Sequence, residues 1–133
     1  MSADGTMNLT LEALVPTFAV CKTRALPLDS LDGPFVFFAR TEEECSLVCP
    51  EVWIPKEALA CERGWRGFRV PGTLDFALVG ILARLTAVMA EAGVSVFAVS
   101  TYDTDYLFVK QADVRVAEAA WQAAGIAIRP AQG

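Results

Sequence analysis

The apolar and polar positions of the chain alternate in short runs and give way twice to helical spacing. Trp65-Arg-Gly-Phe-Arg-Val70 alternates and is rich in β-forming side chains, which predicts a strand that Pro71-Gly72-Thr73 ends. From Leu74 to Ala92 the chain is Leu-, Ala-, Met- and Val-rich without proline, which predicts a helix. Thr73 or Asp75 caps its start and Gly93 stops it. Apolar residues nearly encircle this segment, leaving a polar stripe of Gly80, Arg84 and Glu91. A stripe that narrow predicts a helix covered on most sides, by a sheet and by a second helix or a second chain.

Val94–Ser100 and Tyr106–Lys110 are predicted strands joined by the polar turn Thr101–Asp105, a β-hairpin. Ala112–Ala124 is a second predicted helix, with Val114, Ala117, Ala120, Trp121 and Ala124 along one face. Gly125 ends it, and Ile126–Arg129 is a last short strand before Pro130. Strand, helix, strand, strand, helix, strand predicts an α+β fold: a four-stranded antiparallel sheet with helices on one face, the ferredoxin-like arrangement.

The first half echoes the second. Phe38–Cys49 lies over Ala98–Val109, so that Thr41 falls on Thr101, Glu43 on Asp103 and Leu47 on Leu107. Phe18–Cys21 plays the part of Phe68–Pro71. Between them, Lys22–Pro34 holds two prolines and allows a turn or a stub of helix, and Trp53–Ala60 leaves room for one or two helical turns. This is an internal duplication with a degenerate first copy, residues 1–62, and a full second copy, residues 63–133. Two small sheets joined edge to edge would cover strand edges otherwise open.

Composition narrows the functions. Of the 133 residues 54% are hydrophobic, so a well-filled core is expected. The formal charge is -5, which gives no positive footprint for nucleic acid. There is no histidine, which excludes Ser-His-Asp and Cys-His catalysis and histidine metal ligands. The N-terminus has an acid and no apolar run, unlike a secretory signal, and the apolar stretch Phe76–Ala83 is too short to span a bilayer. A cytoplasmic protein without membrane or nucleic-acid partners is expected. Cys45 and Cys49 fall in one strand, about 13 Å apart at roughly 3.3 Å per residue, too far for one zinc ion. With Cys21 and Cys61 they are expected to be small core residues rather than disulfides or metal ligands. No metal and no cofactor are expected.

Two constellations stand out. At the strand-to-helix turn, Gly72 lets a ligand approach the backbone, free amides favour a carboxylate, and Asp75 suits an ammonium group. The same residues also make an ordinary tight turn with an acidic first helical turn. At the hairpin tip, Asp103 and Asp105 offer oxygen ligands to a hard cation or a hydrogen-bonded turn, the commoner use of such residues. Glu42-Glu43-Glu44 reads as a solvated tip, and Trp53, Trp65 and Trp121 as core or interface anchors.

The segment Gly64-Trp-Arg-Gly-Phe-Arg-Val-Pro-Gly-Thr-Leu-Asp-Phe76 and the run Ser100-Thr-Tyr-Asp-Thr-Asp-Tyr-Leu-Phe-Val-Lys110 carry a resemblance. The chain resembles small bacterial proteins with two tandem ACT-like repeats, related to the regulatory ACT domains of aspartate kinase and to animal cytosolic arginine sensors. Phe18–Cys21 and Ser46–Glu51 extend the likeness into the first half. The resemblance implies a non-catalytic regulatory module that binds an amino acid between ACT units. It places the ligand against Gly72, Thr73, Leu74, Asp75 and Phe76, and against Phe97, Ala98, Val99, Ser100, Thr101, Asp103 and Asp105. The first repeat departs from the pattern, with Lys22-Thr23-Arg24 where Gly72 and its neighbours stand. It then contributes framework, or basic groups facing an acidic ligand end.

The expected partners are an amino acid, a second copy of the chain and a regulated enzyme or other protein. The helix from Leu74 to Ala92 is the reason for expecting a homodimer. The alternatives are a constitutive assembly module with a vestigial pocket, and a carboxylate enzyme using Asp75, Asp103 and Asp105.

Overall fold

The computed structural model describes residues 9–71 and 80–131. In chain order the strands and helices are β1 (Thr10–Thr23), β2 (Phe37–Arg40), β3 (Cys45–Pro50), β4 (Ala60–Arg69), α1 (Ile81–Ala92), β5 (Val96–Ser100), β6 (Asp105–Lys110), α2 (Val114–Ala123) and β7 (Ala127–Pro130). They form two compact units. One holds residues 16–65; the other joins the chain up to Val15 with the chain from Arg66 onward.

In the 16–65 unit the strand order is β2-β3-β1-β4. β3 runs antiparallel to both neighbours, with Cys21 opposite Leu47 and Phe37 opposite Val48. Alternation along these strands turns Ala19, Cys21, Leu47 and Cys49 into a small core, against which Leu31, Phe38, Trp53 and Ile54 pack. The two proline-bearing stretches make only single 3-10 turns, Leu28–Asp32 and Glu51–Trp53. The second lies upstream of the predicted stretch Trp53–Ala60. Pro50 immediately precedes it with the fixed backbone angle that suits a helix start, and Pro55 bars its extension. Trp53 lies half-buried directly on the main chain of Gly33, where a Cβ would come within 2.5 Å of the indole.

In the other unit the order is β7-β1-β4-β6-β5. β7 runs parallel to β1, with Leu11 opposite Ile128. This corrects the expectation of a wholly antiparallel four-stranded sheet: β1 occupies the place between β7 and β4. The core gathers Leu11, Phe68, Val70, Leu107 and Val109 from the strands with Leu85, Met89, Ala117 and Trp121 from the helices. Trp121 meets Phe68 edge-on at 5.1 Å and donates its indole N–H to the Leu85 carbonyl at 3.1 Å. The predicted inner face of α2, including Val114, Ala120 and Ala124, packs on this core.

The first helix differs from its expected extent. Gly80 has φ 83, a left-handed conformation that no right-handed helix accommodates, so α1 starts at Ile81 rather than passing through residue 80. The earlier part of the predicted helix, residues 74–79, lies outside the described residues. α1 buries Ile81, Leu85 and Met89 and exposes Ala83, Ala87, Ala90 and Glu91. Within one chain the outer face of α1 carries Ala83, Ala87 and Ala90, which account for the apolar letters there. Among the described residues no helix is long and apolar enough to cross a membrane.

Glu12 of β1 fastens three neighbouring strands. Its carboxylate pairs with Arg69 of β4 at 2.7 Å and with Arg129 of β7 at 2.5 Å, and only 13% of its side chain is exposed. The bonds from Arg129 and Arg69 hold the Glu12 carboxyl below the usual carboxylate range.

The two hairpins share one register. Phe38 faces Leu47 as Ala98 faces Leu107, and Arg40 faces Cys45 as Ser100 faces Asp105. Each loop is closed by a threonine: the Thr41 amide donates to the Glu44 carbonyl at 2.9 Å, the Thr101 amide to the Thr104 carbonyl at 2.8 Å. The Thr41 and Thr101 hydroxyls accept from the amides of Glu44 and Thr104.

Two outcomes test this packing. Trp121→Phe removes a buried hydrogen bond and part of a ring, and should lower the urea-unfolding free energy by about 1–3 kcal/mol. Because the folded Glu12 carboxyl titrates below its unfolded value, its contribution is full at neutral pH. It is lost as pH falls through the folded value. The stability advantage of wild type over Glu12→Gln, followed by urea unfolding from pH 7 to pH 3, should therefore shrink below about pH 4.5.

Candidate functional site

The predicted ligand stretch on the second hairpin is well defined. Phe97 is half-buried and stacks on Phe108 with ring centroids 4.8 Å apart. Ala98 is exposed, Val99 half-buried, and Ser100 and Thr101 reach solvent with Tyr102 and Asp103. The Ser100 hydroxyl donates to the Asp105 carboxylate at 2.6 Å. Asp105 is thus already engaged, while Asp103 stands in solvent at the tip. The tip is tied to the end of the neighbouring strand: the Val70 amide donates to the Asp105 carbonyl at 2.9 Å, and the Thr104 hydroxyl donates to the Val70 carbonyl. Residues 97–105 therefore sit beside the point where the chain leaves β4. Gly72, Thr73, Leu74, Asp75 and Phe76 lie outside the described residues.

The 16–65 unit has a groove at the corresponding strand end and hairpin tip. Lys22, Thr23 and Arg24 at the end of β1, the first hairpin tip from Arg40 to Cys45, and Leu59 line an open groove of about 310 Å³. Three basic residues, Lys22, Arg24 and Arg40, and three acidic ones, Glu42, Glu43 and Glu44, line it. Thr23 also lines it and is 4% exposed; its hydroxyl has no hydrogen-bond partner among the described residues. A buried hydroxyl without a partner costs about 1–3 kcal/mol. Cations and carboxylates around one small groove suit the two ends of a zwitterion.

Glu42–Glu44 are exposed, as expected of a solvated tip, and Lys22 and Arg24 line the groove as the basic groups the first repeat offers. The overlay gives the same placement: Thr41 over Thr101 fixes the hairpin, and Phe18–Cys21 over Phe68–Pro71 carries Thr23 onto Thr73. The tryptophans act as anchors, with Trp121 and Trp65 buried. Among the described residues no group of three or more acidic or cysteine side chains is arranged to hold a metal ion. Cys21, Cys45 and Cys49 are buried as expected, but Cys61 is exposed, since its end of β4 lies outside both cores.

Comparison with known proteins follows this geometry. Residues 60–122 match the ACT domain family. A protein of solved structure from Agrobacterium tumefaciens aligns over 96% of this chain and 97% of its own, with 26% identity and a TM-score of 0.86. An aspartate kinase from Synechocystis aligns over 96% of this chain and 28% of its own, with 15% identity and a TM-score of 0.65. The regulatory subunit of aspartate kinase from Thermus thermophilus aligns over 91% of this chain and 99% of its own, with 6% identity and a TM-score of 0.59. No curated protein matches the sequence.

Thr23→Val keeps the shape of the side chain and removes the unpartnered hydroxyl. It should raise the urea-unfolding free energy of the ligand-free protein by about 1 kcal/mol. A loss of similar size would mean that the hydroxyl is satisfied by the protein.

Proposed function

We propose that the chain is a non-catalytic regulatory module of two ACT-like units, the first reduced, that binds a free amino acid and tunes a partner protein. The observation that carries this is the groove of the 16–65 unit, lined by Lys22, Arg24, Arg40 and Glu42–Glu44. In this reading the cations hold the ligand carboxylate and the glutamates hold its ammonium group. The matched ACT segment and the regulatory part played by the Thermus relative support a regulatory rather than a catalytic role.

The shared hairpin register supports a division into repeats of residues 1–62 and 63–133. A second ligand site is proposed where the resemblance puts it, at Gly72–Phe76 beside Phe97–Asp105. Binding regulates by favouring one state of the protein, so the ligand makes different contacts in the two states. The protein acts in the cytoplasm as a homodimer, and a regulated enzyme is the kind of partner such a module serves.

Thermal unfolding against each of the twenty amino acids in millimolar excess tests this. A ligand at about 100 times its Kd adds roughly 2.7 kcal/mol, a shift of several degrees at this size. Loss of that shift in Arg24→Ala and Arg40→Ala assigns the ligand to the first groove, and loss in Asp75→Ala alone assigns it to the second site. No shift with any amino acid overturns the sensor and favours a constitutive assembly module.

A further inference from the structure

The cysteines of the 16–65 unit are not independent core residues. Cys21 of β1 is 1% exposed, and its Sγ receives the Sγ–H of Cys61 of β4 at 2.8 Å. Cys61 itself is exposed. The strands are tied at this point, where the Leu59 amide donates to the Lys22 carbonyl at 2.8 Å. Cys49, fully buried, is two positions along β3 from Leu47, the partner of Cys21. A surface groove of about 280 Å³ is lined by both sulfur-bearing residues together with Lys22, Glu44, Ser46 and Glu62.

We propose that Cys61 and Cys21 are an oxidation site: a hydroperoxide converts them to a disulfide that links β4 to β1. The proposal is independent of the ligand reading. Three features support it. The exposed Cys61 opens on a groove large enough for a small oxidant. The second sulfur is already in contact, about 0.8 Å beyond the bonded separation of roughly 2.05 Å. Burial pushes the Cys21 thiol up and the Cys49 thiol to about 11, so neither is the group a solvent oxidant meets first.

The chemistry balances with the peroxide as oxidant. The Cys61 thiolate attacks one peroxide oxygen; an S–O bond forms, the O–O bond breaks, and the alkoxide or hydroxide leaves and takes up a proton. Cys61 is now a sulfenic acid. The Cys21 sulfur then attacks the Cys61 sulfur; the S–S bond forms, the S–O bond breaks, and hydroxide departs as water with the proton of the Cys21 thiol. Two thiols and one hydroperoxide become a disulfide, an alcohol or water, and a further water. Cys49 and Cys45 take no part.

The test treats the fully reduced native protein with hydrogen peroxide, quenches with acid, and counts thiols after unfolding. The count should fall from four to two in a monomeric product, with a Cys21–Cys61 cross-link in the non-reduced peptide map and full recovery on dithiothreitol. Cys49→Ser should keep the cross-link. Cys61→Ser, a change at an exposed position that the fold tolerates, should keep its remaining thiols under the same treatment. Cys21→Ser, where it folds, should instead carry Cys61 on to the sulfinic acid. Four surviving thiols in wild type, a Cys61–Cys61 link between chains, a Cys21–Cys49 link, or equal oxidation of Cys61→Ser would each overturn the proposal.

Discussion

The fold depends on what one strand must do twice. β1 is fourteen residues long, and its alternation has to satisfy two separate cores. Its first half gives Leu11 to the helix-bearing unit and lies between β7 and β4. Its second half gives Ala19 and Cys21 to the smaller unit and lies between β3 and β4. A one-residue slip would turn every one of these side chains to the wrong face, so register is held from several directions. The parallel pairing with β7, the antiparallel pairing with β3 and the Arg69–Glu12–Arg129 bracket all act on this strand. The end of the same strand presents Lys22, Thr23 and Arg24 to the groove.

The functional geometry rests on a pairing of strand end and hairpin tip. In the helix-bearing unit Val70 is held to Asp105 and Thr104. In the smaller unit Lys22–Arg24 and the tip from Arg40 to Cys45 line one groove. Threonine closes both tips in the same way, and the same hydrogen bonds recur in them. What differs is chemistry: hydroxyl groups and Asp105 beside Val70, residues of opposite charge lining the groove at the end of β1. A short, rigid tip on a strand pair gives small polar groups fixed positions, which is what recognition of a small zwitterion needs.

Much of this was legible in the amino-acid pattern, and the failures have physical causes. The second hairpin, the inner face of α2 and the Thr41–Thr101 equivalence were readable because period-2 and helical alternation are local signals. Gly80 was misread because glycine in a Leu- and Ala-rich run looks like a tolerated interruption; only its φ of 83 shows a break. The apolar belt on α1 is wide in letters because Ala83, Ala87 and Ala90 count as apolar, and within one chain these face outward. The place of β7 beside β1 is a long-range choice that spacing does not encode. The groove itself is a property of three-dimensional packing: the end of β1 and the first hairpin tip are far apart in sequence, and spacing does not bring them together.

The central claim is that this groove binds an amino acid, and mapping by amide chemical shifts tests it most directly. The 15N-labelled protein would be titrated with each of the twenty amino acids to saturation or to 20 mM, on the order of a weak effector's Kd. The account predicts that at least one gives saturable shifts concentrated at Lys22–Arg24 and Arg40–Cys45. Saturable shifts that leave those amides unmoved, or no saturable shift with any of the twenty, would contradict it.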